Sequence, residues 1–174
     1  GRCRVVENIG TRVGKCLFRI GAVMTADDPK KVRLLLVDDE QDFRSTLAKR
    51  LRKRGIASLH AADGRSCLSV LAEQAVDVIV MDVMMPGMNG IEALLQIKKQ
   101  YPDVEVILLT GNANTKDGVE GIKSGAFDYL TKPVEFDHLF GKINQAYDKI
   151  RSDQMQRAAE AYKARIEQQM VATE

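Results

Sequence analysis

One stretch of the chain joins an apolar run of strand length to a single acid and then to a loop. It reads Asp77-Val78-Ile79-Val80-Met81-Asp82, followed by Val83-Met84-Met85-Pro86-Gly87-Met88-Asn89-Gly90. A carboxylate held at the carboxyl end of a buried strand is a candidate nucleophile. Other apolar runs end in chemistry-bearing residues too: Asp38 and Asp39 follow the run 33–37, Thr110 closes the run 104–110, and Lys132 follows the run 126–130. Acids gathered at neighbouring strand ends repel one another and raise each other's pKa unless a counter-charge is present. A hard dication with oxygen ligands supplies that charge, and Mg²⁺ (or Mn²⁺) suits a few carboxylates plus phosphate oxygens. Asp82 could then attack phosphorus. Lys132 would add positive charge at the transferred oxygens and the Thr110 hydroxyl a hydrogen bond. Any one of these residues alone is an ordinary cap or turn residue; their joint occurrence, each at a strand end, carries the inference.

The elements that must position them alternate. Apolar runs at 33–37, 77–82 and 104–110 suit central strands buried on both faces, and 57–61, less apolar, suits a strand nearer an edge. Between them, 41–54 has Phe43, Leu47 and Leu51 four apart and stops at Gly55. The stretch 64–74 follows the cap candidate Asp63, and 90–100 ends in Lys98-Lys99. A weaker helix is expected at 115–124, where Gly118 and Gly121 lower the propensity, then a fifth strand at 126–130 and a helix from Val134 onward. Five strand–helix alternations predict an α/β fold with a parallel sheet, helices on both faces and right-handed crossovers, its functional groups at the carboxyl ends of the strands.

Composition narrows the alternatives. The 174 residues are 45% hydrophobic and 29% charged, as in a globular chain, with net charge +2. Five basic residues and one acid in 1–23 account for +4, so the remainder, at −2, carries no nucleic-acid signal. Cys3, Cys16 and Cys67 have neither zinc nor CxxC spacing, which fits a reducing, cytoplasmic location, and Cys67 is expected as a small buried hydrophobe. No apolar run is long enough to span a membrane. Met24 is the expected natural start, and 1–30 is expected to be a disordered or partly non-native leader.

Asp38-Asp39-Glu40, Asp82 with Met84-Met85-Pro86-Gly87-Met88-Asn89-Gly90, Leu109-Thr110-Gly111 and Tyr129-Leu130-Thr131-Lys132-Pro133 together resemble the receiver domain of two-component response regulators, of the stand-alone, chemotaxis-regulator-like kind, over roughly 31–150. The resemblance implies a flavodoxin-like, doubly wound five-stranded parallel sheet of order 2-1-3-4-5. It implies that Asp82 accepts phosphate from a histidine kinase or phosphotransfer protein, and that Asp38 or Asp39, Asp82 and the Met84 carbonyl hold Mg²⁺. Thr110 and Lys132 would contact the phosphoryl group, Tyr129 would move inward on activation, and the Lys132–Pro133 peptide would be cis. Thr110 drawn toward the phosphoryl group would vacate space for Tyr129, re-packing the 111–150 face for a downstream protein partner or a homodimer. Such a module is a signalling switch rather than a turnover enzyme. Met84 and Asn112 should flank the phosphoryl group, and Met84, unable to orient a water, should slow hydrolysis. A receiver that serves only as a scaffold is the alternative. Flavin mononucleotide would be repelled by Asp38-Asp39, and an aspartate-based phosphatase usually carries its nucleophile on the first strand with a second acid two residues on, where 38–40 reads Asp-Asp-Glu instead.

The tail 151–174, with four basic and four acidic residues and no Gly or Pro, is expected as a helical extension, continuous or broken near Ser152-Asp153. It could serve dimerisation or partner binding, and no DNA-binding domain is evident in it.

Overall fold

A computed structural model describes residues 32–111 and 115–171. The leader, Met24, Cys3, Cys16 and Asn112 lie outside the described residues. Five strands and five helices alternate: β1 (Leu34–Val37), α1 (Gln41–Lys53), β2 (Ser58–Ala61), α2 (Gly64–Glu73), β3 (Val78–Asp82), α3 (Gly90–Gln100), β4 (Glu105–Thr110), α4 (Thr115–Lys123), β5 (Asp128–Thr131) and α5 (Phe136–Val171). All pairings are parallel and the order is β2-β1-β3-β4-β5, so the less apolar β2 is indeed an edge.

Strand side chains alternate between two apolar layers. Leu35, Val37, Ile79, Met81, Val106 and Leu108 pack toward α2 and α3, around Cys67, Leu71, Leu94 and Ile97. Leu34, Leu36, Val78, Val80, Ile107 and Leu109 pack toward α1 and α5, around Leu47, Leu51, Leu139 and Ile143. Burial pushes the Cys67 thiol up to about 12, helped by the nearby Asp63 charge, so this cysteine is an inert core residue.

Local chemistry sets the element ends. Gly55 (φ +83°) ends α1 in the left-handed region. Asp63 and Ser66 form a capping box at α2, and Asn89 and Glu92 form one at α3. Two expectations need correction. β5 starts at Asp128 rather than 126: Ala126 N–H donates to Gly121 and Phe127 N–H to Val106, and the ladder register begins only at Asp128 opposite Ile107. α5 starts at Phe136 rather than 134, its first helical turn closing from Leu139 N–H to the Glu135 carbonyl. The tail takes the continuous one of its two expected forms, since α5 runs unbroken for 36 residues. Among the described residues no helix is long and apolar enough to cross a membrane.

Candidate functional site

β1 is flanked by β2 on one side and β3 on the other, so the order in which successive strands are added across the sheet reverses at the β1/β3 junction. That switch point opens a crevice at the carboxyl ends of the strands. Asp38 and Asp39 leave β1 there, and Asp82 is the last residue of β3, opposite Leu109 of β4. One carboxylate oxygen from each of the three acids lies within 4.8 Å of the others. Asp38 and Asp82 are buried, 2% and 6% exposed, and Asp39 is exposed.

Lys132 reaches this cluster from the end of β5. Its Nζ lies 2.5 Å from Asp38 Oδ2 and 3.7 Å from Asp82 Oδ1, and 4.2 Å from the centre of the Phe43 ring. The Phe43 face thus holds the ammonium from the α1 side. Its base is held by the backbone, where Lys132 N–H donates to the Thr110 carbonyl at 2.6 Å. The Lys132–Pro133 peptide is cis, as the resemblance implied. Asp38 is also anchored by Glu40 N–H (2.9 Å), while Arg44 donates to the Asp38 backbone carbonyl. Thr110, fully buried, ends β4 beside Asp82, and Tyr129 is half-buried on β5.

The loop after Asp82 is pinned close to the strand. Gly90 N–H donates to Val83 carbonyl at 2.9 Å, and a Cβ at Gly90 would lie 2.8 Å from Val83 Cα and clash with the Asp82 carbonyl. Only glycine lets α3 start this near the strand end. Gly87 (φ +80°) makes the turn before it. Met84 projects outward, 66% exposed.

Among the described residues one ammonium, that of Lys132, pairs with Asp38 and Asp82, and Asp39 stands beside them. Burial raises the Asp82 pKa; Lys132 opposes that, Asp38 adds to it, the Met84 N–H opposes it, and Asp39 adds to it. A small oxygen-ligated dication fits such a donor set. The structure therefore brings together Asp38, Asp39, Asp82, Thr110 and Lys132, with Met84 at the rim. His60 lies exposed on the edge strand and His138 on the first turn of α5. Sequence reasoning did not find Phe43 and Arg44 as neighbours of the site. Both sit on the first turn of α1, where Phe43 reads as ordinary core spacing and nothing distinguishes Arg44 from the other bases on that helix.

The family model for the response regulator receiver domain matches residues 34–144. The Regulatory protein AtoC of Escherichia coli (strain K12) is 38% identical over 107 residues, covering 62% of this chain and 23% of that protein. Response regulator MprA of Mycolicibacterium vanbaalenii is 35% identical over 112 residues, 64% of this chain and 48% of that protein. The chain thus spans less than half the length of these curated relatives. The Francisella response regulator 1452 receiver domain, a solved structure, superposes with a TM-score of 0.65 at 34% identity, covering 68% of this chain and 98% of that one. Fold, site-end geometry and comparisons agree: the chain belongs to the response regulator receiver domain family of two-component signalling.

Proposed function

We propose that this chain is a phosphoacceptor, with Asp82 the acceptor and 31–150 the working unit. An Asp82 carboxylate oxygen attacks the phosphorus of a phosphohistidine on a histidine kinase or phosphotransfer protein. The new O–P bond forms as the N–P bond breaks, and the departing imidazole takes up a proton. The observation that carries this reading is the charge imbalance: three carboxylates gather within 4.8 Å, and among the described residues the cation that pairs with them is Lys132, on Asp38 and Asp82. Asp38, Asp39, Asp82 and the Met84 carbonyl would hold Mg²⁺ (or Mn²⁺). The ion, when bound, neutralises charge on the transferring group. Lys132, steadied by Phe43, faces the same oxygens, and the Thr110 hydroxyl donates to them.

An acyl phosphate on Asp82 adds charge and acceptor oxygens beside Thr110. Thr110 and Tyr129 are neighbours of the same two strands, since Thr110 pairs with Thr131 and Leu108 with Tyr129. A shift of Thr110 toward the acyl phosphate would open space for the Tyr129 ring and re-pack the 111–150 face toward a downstream protein. One relative in fold, the beryllofluoride-activated NtrC4 receiver domain dimer, is 33% identical with a TM-score of 0.65. Its activation by beryllofluoride accords with a switch here. Exposed Met84 cannot orient an attacking water, so Met84→Asn should speed loss of the phosphate severalfold.

The test is incubation with Mg²⁺ and acetyl phosphate, followed by intact-mass analysis. One acid- and base-labile phosphate per chain is expected, absent in Asp82→Ala and without EDTA-resistant formation. Folded protein that forms no adduct under any donor would point to the scaffold alternative instead.

A further inference from the structure

The extension of α5 lies beyond the family match, which stops at residue 144, and phosphoryl chemistry gives it no task. Within the domain, α5 turns Phe136, Leu139, Ile143, Ala146 and Ile150 into the core. Its opposite side there is polar: Asp137, Gly141, Asn144 and Asp148. After Ile150 the helix leaves the sheet, and a new apolar stripe begins with Met155, Ala159, Tyr162, Ile166 and Met170, all exposed. At about 100° per residue this stripe points roughly 150° away from the buried one.

That angle excludes the chain's own domain as the cover. The helix is also held in line as it departs. Lys149 bonds Glu105 at 2.5 Å and Asp153 at 3.3 Å, and Arg157 bonds Asp103 at 2.7 Å. These pairs fix the polar side of the extension against the amino end of β4, so the stripe faces solvent.

We infer that Met155, Ala159, Tyr162 and Ile166 of this stripe form the seam of a weak pairing between the extensions of two copies of this chain, with Met170 at its flank. The steps from Met155 to Ala159, Tyr162 and Ile166 are four, three and four, the spacing of a two-helix seam, with β-branched Ile166 in a position that favours two strands. The flanks are compatible with a copy running parallel. Residues that meet across such a seam would be Arg151 with Gln156, Ala158 with Lys163, and Arg165 with Met170, none of them a like-charge pair. Glu160 and Glu167 stay on the outer side. The seam covers only roughly two heptads, whereas sustained coiled coils run over about three to four or more. Pairing through it is therefore reversible and concentration-dependent. A parallel arrangement puts both domains at the same end, where their contacts can add to it. The inference is independent of the phosphoacceptor reading.

Sedimentation equilibrium of the full chain over a concentration series tests it. Wild type should show a reversible monomer–dimer equilibrium. Ile166→Glu should weaken it at least ten-fold, while Ala164→Glu, the same added charge on the far side of the same helix, should leave it unchanged. Far-UV circular dichroism checks that both variants keep their helix. Hydrogen exchange at 155–170 should slow as wild-type concentration rises. A chain that stays monomeric throughout overturns the inference and leaves another protein as the cover. So does a dimer that Ile166→Glu does not weaken, or one that both variants weaken equally.

Discussion

Buried acids stand at both ends of this sheet, and they live under opposite charge balances. At the amino end, Asp77 and Glu105 are each 6% exposed. Asp77 accepts from Arg33 through its backbone N–H (2.9 Å), its Nε (3.0 Å) and Nη2. Glu105 is bridged by Lys98 (3.3 Å) and Lys149 (2.5 Å). Every carboxylate there has a cation of its own. At the carboxyl end, Asp38 and Asp82 are as deeply buried, yet among the described residues they share one ammonium, that of Lys132, with the Asp39 carboxylate close by. Burial alone therefore does not mark a functional acid. A satisfied buried acid ties elements together; one held short of positive charge is poised to take a cation and a phosphoryl group.

The contrast can be broken in several ways. The largest effect is expected where the carboxyl end is shaped by backbone rather than charge. Gly90→Ala would drive a methyl into the Asp82 carbonyl and Val83 Cα, neither of which can yield, and should cost about 3 kcal/mol by chemical denaturation. An Arg33→Ala variant strands the Asp77 carboxylate. Because Arg33 is half-exposed, the loss should be about 2 kcal/mol, below the roughly 3–5 of a fully enclosed pair. Asp82→Asn should go the other way, stabilising the metal-free protein by on the order of 1 kcal/mol through relief of crowding and burial. Its sign with pH follows from linkage. The folded-state pKa of Asp82 is raised, so the penalty of ionising it is absent below the unfolded value and grows as pH rises through the folded one. The gain from Asp82→Asn should then be full near neutral pH and vanish on acidification, which paired melts across pH would show. A stabilising Arg33→Ala or a destabilising Asp82→Asn would erase the distinction between the two ends.

The carboxyl end was legible in the sequence and the amino end was not, for a physical reason. Asp38, Asp82, Thr110 and Lys132 each follow or close an apolar run, so chain order and a parallel sheet suffice to gather them. Arg33–Asp77 and Glu105–Lys149 are each 44 residues apart in sequence. Their pairing depends on which strands and helices lie side by side, which no local pattern states. Gly118 and Gly121 show the same limit. As propensities they weaken α4; in the fold a Cβ at Gly118 would come within 3.0 Å of the Tyr129 ring, and one at Gly121 within 2.6 Å of Leu108 Cδ1. They let α4 sit close to the sheet, and that need appears only once the neighbours are in place. β5 starts two residues later than its apolar run predicts because Ala126 and Phe127 look strand-like but bond outside the ladder register.

Calorimetric titration of Mg²⁺ into the wild-type protein, Asp82→Asn and Glu105→Gln tests the charge imbalance most directly. One site is expected in wild type, weakened at least ten-fold by Asp82→Asn and unchanged by Glu105→Gln, since removing charge where acids are already paired leaves the crevice as it was. Binding that survives Asp82→Asn, or that Glu105→Gln abolishes in a folded protein, would contradict the account.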